Sequence, residues 1–219
     1  MKTLAVDTSN KIASVSVFDD NNLLNEKFSD DQKTHSEKLL PIIDELLKEE
    51  GISIGDVDMF VVAVGPGSFT GIRIGVSTVK GMAQALNKKV IAVTSLEGLI
   101  EMADNKNVCA IINARHGNVY TQIKYNNNLL EPDCKSINEV VDELKNYNEK
   151  FIIVGDATIE FENLLKEELD CEIFDKKIEG SSDIGKFALN KYFGDENIAK
   201  IPHEILPIYL RKPQPDREV

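Results

Sequence analysis

Residues 59 to 93, MFVVAVGPGSFTGIRIGVSTVKGMAQALNKKVIAV, leave few folds open to this chain. MFVVAV is apolar throughout, as a strand covered on both faces must be. A glycine-rich turn, GPGSFTG, follows it, then a pattern of helical period over 72 to 86, then a second apolar run, VIAV, at 90 to 93. Strand, helix and parallel strand make a βαβ crossover, so the chain is α/β with parallel strands at its centre.

On the N-terminal side TLAVD, IASVSVF and LLNEKF are rich in β-branched and apolar residues, and DNN between the last two is turn chemistry. Residues 3 to 28 therefore predict three antiparallel strands. THSEKLLPIIDELLKEEG predicts a helix over 34 to 50, with a capping box from Thr34 and Glu37 and an apolar face of Leu39, Leu40, Ile43, Leu46 and Leu47. Gly51 stands where that helix should end, and Pro41 should kink it or shift its start. After VIAV, Ser95 can cap a helix to about residue 104. The pattern then restarts with VCAIINA, VYTQIKY and a weaker strand near NLLE, followed by helices at 138 to 146 and 157 to 169 with the strand FIIVGD between them. Two lobes of the order β-β-β-α-β-α thus succeed one another, the second abbreviated. Their boundary falls near ADNKN, giving lobes of 1–104 and 105–203 and a C-terminal segment, 204–219, expected to return to the first lobe.

Charge narrows the function. The chain carries −12, whereas a protein that grips nucleic acid by itself brings a lysine and arginine surface, so strong direct binding of nucleic acid is disfavoured. The acid is unevenly spread: residues 59 to 96 hold no Asp or Glu, and Arg73, Lys80, Lys88 and Lys89 make them a mildly basic island. The charge-free run from 59 to 72 is shorter than the roughly 20 residues a membrane-spanning helix needs. MKTLAVDTS reaches Asp7 too soon for a secretory leader, so a cytoplasmic protein is expected. Cys109, Cys134 and Cys171 are odd in number and lack a C-x-x-C pair, and His35, His116 and His203 make no ligand spacing; neither disulfide framework nor metal site is expected.

The turn GPGSFTG is not a Walker loop, because Ile72 and Arg73 stand where its lysine and hydroxyl belong. It also misses G-x-G-x-x-G by one residue, and no acidic residue closes the next strand. Two readings remain open: a turn that only shapes the surface, or a weak anion site at a helix N-terminus, comprising Gly65, Pro66, Gly67, Ser68, Thr70 and Gly71 with Asp7, Thr8 and Ser9 at the end of the first strand. A carboxylate at Asp7 could hold magnesium-bound water, but the matching strand end of the second lobe carries Asn113, so no opposed carboxylate pair exists.

Plotted at about 100° per residue, the helix of 72 to 86 has three arcs. Ile72, Gly75, Val76, Val79, Met82, Ala83 and Leu86 must face the sheet, and Arg73, Ser77, Lys80 and Gln84 form a wet arc. The third arc holds Ile74, Thr78, Gly81 and Ala85, small or apolar where a solvated helix would carry Glu or Lys. Either a partner covers it or a neighbouring helix of the same lobe does.

LAVDTS, HSEKLLPIIDELL, VGPGSFTGIRIGVSTVKGMAQAL with VTSLEGL, NARHGNVY and PIYLRKP resemble, in that order from Asp7 to Lys212, the TsaB (YeaZ) family. The resemblance implies a two-lobed actin-like and Hsp70-like (ASKHA) fold, each lobe RNase H-like with a central mixed sheet, and a shrunken relative of TsaD. It implies a scaffold that supports TsaD, with the ATPase TsaE, in transferring threonylcarbamoyl to the adenosine beside the anticodon of tRNAs reading codons that begin with A. The family lacks the histidine pair that holds the metal of TsaD, so no catalytic residue, metal or cofactor of its own is implied, with ATP and magnesium bound weakly or at the complex interface at most. Docking of TsaD is implied through Lys38, Ile42 and Glu45 of the first helix and Arg73, Ile74, Ser77, Thr78, Gly81 and Ala85 of the second, with a homodimer through the same helices as an alternative use. Transfer RNA is expected only as part of the complex, and no membrane. Asn113 departs from the Asp common in the family, which weakens any nucleotide role of the cleft. An ATP-dependent small-molecule kinase of the same fold and a glycoprotease-like metallopeptidase remain the disfavoured alternatives: the first requires acidic or glycine-rich phosphate loops in both lobes, where the second lobe offers only VGDAT, and the second requires a metal motif that is absent.

Overall fold

A computed structural model describes residues 1–29, 35–174 and 180–210. It contains two mixed sheets. The first combines β1 (Lys2–Asp7), β2 (Ser14–Asp19), β3 (Asn22–Phe28), β4 (Met59–Ala63) and β5 (Lys89–Val93) in the order β3-β2-β1-β4-β5. The first three strands are antiparallel, and β1, β4 and β5 are parallel. The second sheet runs β11 (Cys171–Ile173), β10 (Phe151–Val154), β6 (Val108–Asn113), β7 (Asn118–Tyr125), β8 (Asn128–Leu129), with β9 (Asp133–Ser136) also pairing with β7. Strands β9 and β11, which the sequence pattern does not announce, are short and half-exposed.

The continuous apolar character of β1 and β4 has the reason expected. Alternate side chains point to opposite faces, and both faces are covered. Leu4, Val6, Phe60 and Val62 pack on one face against Leu39 and Leu46 of α1 (His35–Glu49) and Ile72, Val76 and Val79 of α2 (Phe69–Leu86). Ala5, Phe18, Val61 and Ile91 face the other way, onto Ile184, Ala188 and Leu189 of α6 (Ser181–Gly194). The second sheet is covered likewise, by α3 (Ser95–Ala103) on one face and by α4 (Ile137–Tyr147) and α5 (Ala157–Glu168) on the other. Helices α3 and α6 lie together between the sheets, linked by Lys191 to Glu97 at 3.0 Å and Asn190 to Glu101 at 3.0 Å.

Three local features differ from the pattern. Helix α2 begins at Phe69, three residues before its apolar period, because the Ser68 hydroxyl accepts from the Gly71 amide at 3.2 Å and caps it there. Pro41 lies inside α1, which runs on through it; Thr34 of the expected capping box lies outside the described residues. The third difference concerns the lobe boundary. The sequence pattern keeps 105–203 in the second lobe, whereas the chain crosses back by Gly180. Helix α6 lies on the first sheet because Gly185 sits against the Phe18 ring, where a Cβ would collide with it. The Glu26 carboxylate of β3 receives the Ser182 amide and hydroxyl, each at 2.8 Å, and the Ser14 hydroxyl receives the Ser181 amide at 2.7 Å. Lys200 then bridges to Val90, and residues 205–210 lie along the first lobe, with Ile208 donating to the Val64 carbonyl at 2.8 Å.

Candidate functional site

Helices α1 and α2 sit side by side on the outer face of the first sheet. Between them opens a groove of about 450 Å³, walled by Leu39 and Leu40 of α1 and by Phe69, Arg73, Ile74 and Thr78 of α2, with Ser77 at its edge. On the third arc of α2, Ile74 and Thr78 are half-buried, Ile74 together with Ile42 packing against the core below the two helices. Gly81 and Ala85 are exposed, and a Cβ built on Gly81 would meet nothing within 4 Å. The neighbouring helix thus covers the arc only at its N-terminal end. On α1, Lys38 is half-buried and Glu45 exposed, the latter paired with Lys27 at 2.6 Å, so its charge is already engaged at the β3 side of the face.

The arc expected to be wet is exposed at Arg73, Ser77 and Gln84, but its two cations are engaged by the chain's later residues. Lys80 is half-buried and donates to the Ile205 carbonyl at 2.7 Å. The Arg73 guanidinium lies 3.7 Å over the Phe69 ring and donates from Nε to the Tyr209 hydroxyl at 3.0 Å. Both partners are more than 120 residues away in sequence, which is why no local pattern reveals them.

At the other end of α2, the carboxyl end of β1 meets the glycine turn. Asp7 is 2% exposed and its Oδ1 accepts from the Ser9 amide at 2.7 Å. The Thr8 hydroxyl donates to the Gly71 carbonyl at 2.7 Å, and the Ser68 amide donates to the Ser9 carbonyl at 2.7 Å. Gly65 has φ 103°, a backbone shape that other residues resist. Side chains at Gly71 and Gly75 would collide with Thr8, so these two glycines are what let the helix settle on the strand end. Thr70 lines the groove, and Pro66 and Gly67 line a second, smaller cleft of about 220 Å³ shared with Phe69, Tyr120 and Tyr209.

Asn113, on the second lobe, donates its backbone amide to the Asp156 carboxylate at 2.9 Å and its side-chain amide to Glu160. Its carbonyl oxygen accepts from the Arg115 amide at 2.7 Å, so its side chain organises its own loop. Among the described residues no group of three or more His, Cys, Asp or Glu is placed to hold a metal ion. No helix among them is long and apolar enough to cross a membrane. Burial pushes the Cys109 thiol up to about 12, which keeps it protonated. It also raises Glu101 above the usual carboxylate range, at the contact between α3 and α6.

The family model described as TsaD: tRNA N6-adenosine threonylcarbamoyltransferase matches residues 23–191. The tRNA threonylcarbamoyladenosine biosynthesis protein TsaB of Bacillus subtilis (strain 168) is 30% identical, over 96% of this chain and 94% of its own length. A crystal structure from Pseudomonas aeruginosa, described as an uncharacterized protein with similarity to peptidase YEAZ, superposes with a TM-score of 0.83 at 24% identity, covering 96% of this chain and 99% of that one. Component A of the (R)-2-hydroxyglutaryl-CoA dehydratase of Acidaminococcus fermentans superposes at 0.54 with 10% identity, over 89% of this chain and 98% of its own. The fold is the two-lobed actin-like one, each lobe built on a mixed sheet.

Proposed function

The chain belongs to the TsaB family of tRNA threonylcarbamoyladenosine biosynthesis proteins, and on that premise we propose that it works as a docking subunit for a TsaD-type transferase and performs no transfer itself. The observation that carries this reading is the face of α2 at Gly81 and Ala85, free of charge and open to space beside the groove that α1 and α2 enclose. Small residues let a second helix approach closely, and an uncharged, exposed helix face of this kind is a common mark of association. The transferase would lay its own pair of helices against α1 and α2, with TsaE joining the pair, and the same face would serve a homodimer when the transferase is absent. The −12 charge then suits the role: tRNA is held by other subunits, in the cytoplasm, and reaches this chain only within the complex.

The cleft supports the same reading. The turn from 65 to 71 is hydrogen-bonded to Thr8 and Ser9, and the opposing strand end offers Asn113, so ATP with magnesium would bind weakly or only where the two proteins meet. The test is to purify the chain and the transferase separately, titrate one with the other, and assay each alone and together for ATP hydrolysis and threonylcarbamoyl transfer. The expected result is a complex of the two, negligible turnover by this chain alone, and transfer only with the transferase present. Robust ATP turnover by the isolated chain, abolished by Asp7→Ala, would overturn the proposal.

A further inference from the structure

The segment from 205 to 210 forms a strap across the first lobe, anchored at Ile205, which is 2% exposed, and by the hydrogen bond from Ile208 to Val64. Its last turn brings Tyr209 over the start of α2. There the Tyr209 and Phe69 rings lie 5.1 Å apart, the Arg73 guanidinium sits 3.7 Å over the Phe69 ring, and Arg73 Nε donates to the Tyr209 hydroxyl at 3.0 Å. Phe69 and Tyr209 are nevertheless half-open to solvent, at 49% and 45%. Phe69 is also the wall shared by the groove between α1 and α2 and the smaller cleft beneath the strap, so the Tyr209–Phe69 contact borders both recesses.

Among the described residues, Arg73 is the one cation that lines the groove. An unheld arginine has many rotamers and a charge that any apolar partner must either order or displace, at a cost paid on binding. Here the guanidinium is stacked and hydrogen-bonded before a partner arrives. We propose that Tyr209 is a positioning residue for the docking face: it holds Arg73 flat on Phe69 and so presents the groove in its binding-ready shape. The inference rests on the docking role assigned to α1 and α2, and it adds a residue outside both helices that contacts α2 at Phe69 and Arg73.

The test is a double-mutant cycle on affinity for the transferase, using Tyr209→Ala, Arg73→Ala and both together, with Tyr209→Phe as the conservative variant and Gly81→Glu as the control for the docking face. Losing the hold on one long side chain should weaken binding by about 3- to 10-fold in Tyr209→Ala. The same substitution made on Arg73→Ala should change affinity by less than about twofold, because Tyr209 acts through Arg73. Tyr209→Phe keeps the ring and loses the acceptor, so it should fall between wild type and Tyr209→Ala. Melting curves of each variant verify that the strap change leaves the lobe folded. Equal losses in both backgrounds would make Tyr209 a direct contact and overturn the positioning role, as would wild-type affinity in Tyr209→Ala. If Gly81→Glu binds as wild type, the docking reading fails instead, and a Tyr209→Ala loss that disappears in the Arg73→Ala background would still uphold its coupling to Arg73.

Discussion

Gly81→Glu separates a docking face from a core face with one side chain. Gly81 is helical and exposed, and a Cβ there meets nothing within 4 Å, so the free chain can place the new carboxylate in water. Glutamate is favoured over glycine inside a helix by up to about 1 kcal/mol. For a chain of this size that raises the melting temperature by up to about 2–4 °C. At a closed helix–helix contact the same carboxylate would be buried without a partner, a penalty of about 3 kcal/mol or more, which is at least about 100-fold in affinity. Val79→Glu is the counterpart, two residues away and 0% exposed in the core beneath α2. It forfeits about 1.5–3 kcal/mol of apolar burial and adds an unpaired buried carboxylate, enough to unfold a lobe whose whole stability is about 5–15 kcal/mol. The assay is differential scanning fluorimetry of both variants with calorimetric titration of the transferase. Equal loss of melting temperature in the two would show that the arc is internal core, and undiminished affinity in Gly81→Glu would place the docking surface elsewhere.

Gly75→Ala should destabilise although alanine is the better helix former, because the added methyl overlaps the Thr8 hydroxyl and α2 must lift from β1; a loss of about 1–3 kcal/mol in a urea melt is expected. Glu26→Ala leaves the Ser181 and Ser182 donors at the start of α6 without their acceptor, and should lower the denaturant midpoint by the equivalent of about 1–3 kcal/mol, with hydrogen exchange rising first in α6. Glu101→Gln should raise the melting temperature at pH 7. Burial raises the folded-state pKa of Glu101, so its contribution is fully present below the unfolded carboxylate pKa and is lost as pH rises through the folded value. The gain from glutamine should therefore vanish on acidification below about pH 4, while the Asn190 contact persists through the glutamine oxygen.

The centre of the fold is legible because its strands are apolar on both faces and its main helix has a regular period: β4, α2 and β5 follow from MFVVAV, the arc through Ile72, Val76 and Val79, and VIAV. Helix α6 is not, because only Ile184, Ala188 and Leu189 supply its buried apolar side chains, and its seat depends on Gly185 lying on Phe18 and on polar bonds to distant residues such as Glu26. A glycine used for close approach looks, in sequence, like a break. The signal available for its start is the Gly180–Asp183 spacing, in which the N3 carboxylate accepts from the N-cap amide at 3.1 Å. The groove was half-legible: the uncharged arc of α2 pointed to it, but the strap contacts to Lys80 and Arg73 join residues too far apart for any local period to reveal.

The late return of α6 also bears on how the molecule is made. Its first sheet is complete in strands once Val93 has left the ribosome, yet the helix that covers Ala5, Phe18, Val61 and Ile91 starts only at Ser181. At about 5–20 residues per second, that face stays open for about 4–18 s of synthesis. The second sheet and its helices, from Ser95 to Ile173, are contiguous in the chain and can condense during that wait. A message truncated before Ser181 would thus release a nascent product with one sheet bare, a substrate for chaperones and proteases, whereas one extending past Lys200 would already carry its cover.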